Sequence, residues 1–120
     1  MPMRLLSLLA VAVAAIATPA AAQDYPNRPI TWVVPFPPGG VTDVVARLMA
    51  ERLSAEFGQQ VVVDNKTGAG GVIAGEIVAK APADGYTLLL TTPNHTINAA
   101  FRSTMPYDTE KDLRAVSNVG

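Results

Sequence analysis

The chain has 120 residues, 9 basic against 10 acidic side chains, a formal net charge of −1 and no cysteine. Near-neutrality without a basic cluster excludes the electrostatic footprint of a nucleic-acid binder, and the lack of cysteine excludes disulfides and thiolate metal sites. At this length the expectation is one modest domain that depends on its apolar core.

The first 22 residues read as a secretory signal peptide. Arg4 supplies a positive charge, Leu5 to Ala17 is apolar except for Ser7, Thr18-Pro19 breaks the run, and Ala20-Ala21-Ala22 offers small residues before Gln23. The 13-residue run falls short of the roughly 20 apolar residues needed to cross a bilayer. Cleavage after Ala22 removes Arg4 and leaves 98 residues with a net charge of −2, starting at Gln23. Gln23 to Pro29, with two prolines, is an extended lead-in.

Ile30 to Asp43 is the stretch around which the rest of the chain is organised. An apolar, β-branched run stops at Pro35-Phe36-Pro37-Pro38-Gly39-Gly40, and a helical pattern begins at once. Glycines permit close approach of a ligand to the backbone, and the first amides of a helix have no intrahelical acceptor, so this junction suits an anion. The blander reading is a turn with Thr42 as helix cap and Asp43 opposite the dipole, which is compatible with binding. Val41, Val44, Val45, Leu48, Met49, Leu53 and Phe57 recur at helical spacing, and Gly58 is a natural stop.

Val61 to Val63 forms a second short strand, followed by a second glycine-rich loop over 64–71. A second helix over about 71–81 is expected to bury Val72, Ile77 and Val78, with Glu76 four residues before Lys80 outside. Thr87 to Thr92 is a third strand, Pro93 to Thr96 a polar loop, Ile97 to Phe101 a short helix, Tyr107 to Leu113 a turn, and Ala115 to Val119 the start of a fourth strand. Alternating strands and helices predict an α/β fold: a parallel sheet with helices on both faces and right-handed crossovers. The strand-to-helix loops Gly39 to Asp43, Thr67 to Gly71 and Thr91 to Thr96 then converge at the carboxyl edge, where open α/β sheets bind ligands.

Nucleotide motifs do not fit. Gly68-Ala69-Gly70-Gly71 lacks a glycine at Ile73 and follows the second strand, and no lysine-bearing phosphate loop is present. His95 has no evident nucleophile or orienting carboxylate and reads first as a surface loop residue; Trp32 reads as core.

Tyr25-Pro26, Arg28-Pro29-Ile30, Val34 to Gly40 with Asp43, Val63-Asp64-Asn65 with Gly68 to Gly71, Ala83 to Leu89, and Pro106-Tyr107-Asp108 before Lys111-Asp112 together resemble the N-terminal part of the tripartite tricarboxylate transporter substrate-binding proteins, the Bug or TctC family. The resemblance spans nearly all of the mature chain in order. It implies a periplasmic receptor of the two-lobed type II binding-protein fold that presents a small carboxylate to membrane permease subunits, as a monomer without cofactor or metal. It also implies ligand contacts from Pro38, Gly39, Gly40, Val41, Thr42 and Asp43, with Gly70, Gly71, Thr91, Thr92, Asn94 and His95 lining the same cleft.

Family members continue into a second lobe, so residues 23–120 are expected to be an incomplete first lobe, marginally folded and weakly binding alone. The other readings are a truncated, non-binding remnant and a small α/β enzyme acting on an anion. An enzyme needs a nucleophile, base or metal cluster at this edge, whereas a receptor needs only preorganised donors.

Overall fold

The computed structural model describes residues 24–119, so the expected signal peptide and its cleavage point lie outside the described residues. Three strands, β1 (Ile30–Val34), β2 (Val61–Asn65) and β3 (Thr87–Leu89), form a parallel sheet in the order β2-β1-β3. Between and after them lie helices α1 (Val41–Phe57), α2 (Val72–Lys80) and α3 (Asn94–Phe101). The α/β expectation therefore holds, with the organising strand in the centre.

Alternation along β1 sends Ile30, Trp32 and Val34 to one face and Thr31 and Val33 to the other. The first set packs with Ala46 and Ala50 of α1, Val61 and Leu90. Val33, only 1% exposed, belongs to the face on which α2 lies against β1 and β3. Both faces of the central strand are thus covered, which is why it reads as an uninterrupted apolar run.

The helices meet the sheet through smaller residues than their sequence pattern suggests. On α1 the buried positions are Asp43, Ala46 and Ala50, while Val41, Val44, Leu48 and Phe57 are exposed. On α2 they are Val72, Ala74 and Gly75; Ile77, expected to be buried, is exposed. Alanine and glycine let the helix axes approach the bulky β1 side chains closely, so the packing selects the small-residue stripe.

The ends of the strands have specific causes. The amide of Leu90 still donates to the Val33 carbonyl at 2.9 Å, but Pro35 has no N–H to continue the ladder. β3 consequently ends at Leu89, short of the expected Thr92. Ala115 to Val119 forms no strand, because no strand of the described sheet pairs with it; Val116 is exposed. Gly58 closes α1 in the left-handed conformation (φ 65°), as expected.

Two long-range clasps tie the chain ends to this core. The lead-in, which contains a cis Tyr25–Pro26 bond, is held by the turn before β3: Tyr25 Oη donates to the Gly85 carbonyl at 2.6 Å, Arg28 pairs with Asp84 at 2.8 Å, and the Arg28 guanidinium lies 3.9 Å from the Tyr86 ring centre. Beyond α3, Tyr107 is buried with its hydroxyl end over Gly75, occupying the space a Cβ would need. Alanine in a helix interior normally gains about 0.5–1 kcal/mol over glycine. Here Gly75→Ala should instead lose about 1–3 kcal/mol by overpacking. Urea unfolding checks this, and an unchanged or raised midpoint would contradict the seating of Tyr107.

Candidate functional site

The junction between β1 and α1 is held by one carboxylate. Asp43 is 2% exposed and stands in the first turn of α1. Its Oδ2 accepts from the Gly39 amide at 2.8 Å and from Arg47 Nε at 2.9 Å, and its Oδ1 accepts from Asn65 Nδ2 at 2.9 Å. The same Asn65 amide donates to the Phe36 carbonyl at 2.9 Å, while its Oδ1 accepts from Arg47 at 3.1 Å. One network therefore joins the β1 loop, the first turns of α1 and the end of β2. Donation from Arg47, the Gly39 amide and Asn65 lowers the Asp43 pKa to about 2.

Gly40 is the N-cap residue, without a side-chain cap bond, so Thr42 does not cap the helix, contrary to the blander reading. Gly39 needs its glycine for a φ of +86°, whereas Gly40 sits at an ordinary φ of −75°. Among the described residues, no group accepts from the amides of Val41, Thr42 and Asp43. They carry the positive end of the α1 dipole, and Pro38, Gly39, Gly40 and Val41 around them are exposed.

The second loop abuts the first. The Lys66 amide donates to the Val34 carbonyl at 2.8 Å, and Gly71 lies so close to Pro35 that an added Cβ would stand 3.3 Å from its side chain. Residues 68–71 all have positive φ, from 129° at Gly68 through 49° at Ala69 and 66° at Gly70 to 97° at Gly71. The Gly71 amide closes this turn on the Gly68 carbonyl at 3.0 Å.

The third loop departs from expectation in its outline. The helix after β3 begins at Asn94, so Asn94 and His95 occupy its first turn, and Thr91 and Thr92 form the short link before it. The Thr92 carbonyl accepts from the His95 amide at 3.0 Å, while its shielded hydroxyl has no partner among the described residues. His95 is partly buried, stacked on Tyr107 with Nδ1 3.4 Å from its hydroxyl; desolvation pushes its pKa below the usual histidine value.

The structure thus brings the first two loops together, and α3 adjoins the second through Asn98, whose Nδ2 donates to the Gly70 carbonyl at 2.8 Å. The roles of Arg47, Asn98, Arg102 and Tyr107 are missed by sequence reasoning. Only the Asp43–Arg47 pair carries a local signal, the four-residue spacing of opposite charges on a helix. Among the described residues there is no cluster of potential metal ligands, and no helix is long and apolar enough to cross a membrane.

Residues 45–120 match the family model described as TctC, tripartite tricarboxylate transporter family receptor. The chain belongs to the TctC family. It is 48% identical over 121 residues to Protein BugT of Bordetella pertussis (strain Tohama I), covering 98% of this chain and 37% of that protein. Among solved structures it is similar to R. palustris Rpa4515 with adipate, at 51% identity and a TM-score of 0.69 over 72% of this chain and 29% of that one. It is also similar to the periplasmic binding protein BugD, at 42% identity and a TM-score of 0.70 over 73% of this chain and 29% of that one. The chain spans about a third of the length of the curated relatives it matches. TctC proteins are solute receptors, not enzymes, so the enzymatic reading is closed.

For this TctC chain the Asp43 network predicts a pH response. The folded-state pKa is about 2 against an ordinary value of 3.8. A depressed carboxylate pKa gives stability that is present above the unfolded value and is lost as pH falls through the folded one. Stability should therefore decline between about pH 4 and about pH 2, and Asp43→Asn should flatten that limb. Urea midpoints across the range test it; the comparison with the variant separates Asp43 from Asp108, whose pKa is also lowered. Parallel curves for the two proteins would contradict the role given to Asp43.

Proposed function

We propose that this protein is the substrate-binding component of a tripartite tricarboxylate-type transporter, exported to the periplasm after cleavage behind Ala22. In this reading it captures a small carboxylate as a monomer and hands it to the permease subunits. The observation that carries the proposal is the open N-terminus of α1. Its loop is fixed by Asp43, its first amides have no acceptor among the described residues, and the chain is similar to R. palustris Rpa4515, a structure solved with adipate.

The division of labour rests on the geometry. The amides of Val41, Thr42 and Asp43 donate to the carboxylate, Gly39 and Gly40 let it approach the backbone closely, and the helix dipole favours its charge. The Asp43 carboxylate, whose oxygens accept from Gly39, Arg47 and Asn65, acts through the loop and not on the ligand. Gly70, Gly71, Thr91, Thr92, Asn94 and His95 border the same edge. The unpartnered Thr92 hydroxyl is the side-chain donor there with most to gain from a ligand or water oxygen.

Gly40→Val tests the first loop without straining it. The backbone at Gly40 is extended, and a Cβ there meets nothing closer than the Pro37 carbonyl at 3.5 Å. The branched side chain should block close approach and weaken binding of adipate or malate by about tenfold or more, roughly 1.4 kcal/mol. Glu51→Gln, on the exposed side of α1, should leave affinity unchanged. Calorimetric titration of the full-length protein decides; equal affinities in both variants would move the site away from this loop.

A further inference from the structure

The turn over 68–71 is held from outside as well as by itself. Four consecutive positive φ angles include one at Ala69, where a side chain makes the left-handed region unfavourable by about 1–2 kcal/mol. Such a conformation persists where surrounding groups over-determine it. The groups doing so sit on α3 and at its end: Asn98 Nδ2 donates to the Gly70 carbonyl at 2.8 Å, and Arg102 donates to the Ala69 carbonyl at 3.0 Å. Arg102 in turn is braced by its Nε on Asn98 Oδ1 at 3.4 Å and by its amide on the Asn98 carbonyl at 3.0 Å.

The consequence concerns one amide. In a trans peptide the C=O of one residue and the N–H of the next point in opposite directions. With the Ala69 carbonyl drawn toward Arg102, the Gly70 N–H is directed away from that side chain. Among the described residues nothing accepts from it, and Gly70 is exposed. The Gly71 amide, by contrast, is used internally on Gly68.

We propose that Asn98 and Arg102 are positioning residues of the carboxylate site: by gripping the carbonyls of Gly70 and Ala69 they hold the strained turn against the first loop and keep the Gly70 N–H presented as a donor. This rests on the receptor reading above. The two residues touch the turn and not the solute, so they set the geometry of binding and add no charge to it directly.

The test is hydrogen exchange and titration on the full-length protein, wild type against Asn98→Ala/Arg102→Ala and the conservative Arg102→Lys. The amides of Gly71 and Val72 close the turn on the Gly68 and Ala69 carbonyls and report its integrity. In the double variant they should exchange at least tenfold faster while Val33 in β1 is unaffected, and adipate affinity should fall about tenfold. Arg102→Lys, which keeps one donor, should fall between. Unchanged exchange at Gly71 and Val72 would overturn the proposal, as would acceleration that extends equally to Val33. Accelerated exchange with unchanged adipate affinity would also overturn it, because the turn would then not serve binding. A wild-type protein that binds neither adipate nor malate would instead defeat the receptor reading, with the exchange data still deciding whether the clamp exists.

Discussion

The Asp43 carboxylate is the constraint on which the rest of this edge depends. It is a charge taken almost completely out of solvent, and a buried charge is tolerable only when paired and hydrogen-bonded. Its three donors come from three separate pieces of chain, the β1 loop, α1 and β2. Satisfying one side chain therefore fixes the entry of the loop into the helix and the distance of that helix from the neighbouring strand. Asn65 extends the constraint by donating to both Asp43 and the Phe36 carbonyl, so the loop is gripped at two points by the strand beside it.

The element order is legible in the sequence because it depends on local signals. Apolar runs bounded by Pro35 to Gly40 and by Gly58 mark where the chain changes periodicity, and the structure places β1, α1 and β2 there. What is not legible depends on partners distant in sequence. The choice of Ala46 and Ala50 over Val44 and Leu48 as the buried stripe reflects the bulk of β1, which a helical pattern alone does not contain. The early end of β3 is set by Pro35, more than fifty residues away, and Ala115 to Val119 has the composition of a strand but joins no strand of the described sheet.

The candidate site divides along the same line. That its loops meet at the carboxyl ends of the strands is readable from topology, and the family is readable from spaced motifs taken together. The roles within it are not. Asp43 reads as a ligand contact when only its position beside two glycines is known, and as a strut once Gly39, Arg47 and Asn65 are seen around it. Asn98 and Arg102 carry no motif; their meaning comes from the carbonyls they reach, some thirty residues upstream.

These assignments share one physical pattern. The polar side chains that grip the first two loops, Asp43, Asn65, Asn98 and Arg102, are engaged with main-chain groups of the protein, whereas several main-chain amides have no acceptor among the described residues. A helix N-terminus offers the equivalent of about half a positive charge spread over its first turn. In the receptor reading proposed above, an anion at this edge would meet fixed, modest main-chain donors. Each bond in a wet, open edge contributes little, and strengthens only when water is excluded. Under that proposal, modest donors of this kind would favour a carboxylate over neutral ligands while permitting release, the balance a solute receptor requires.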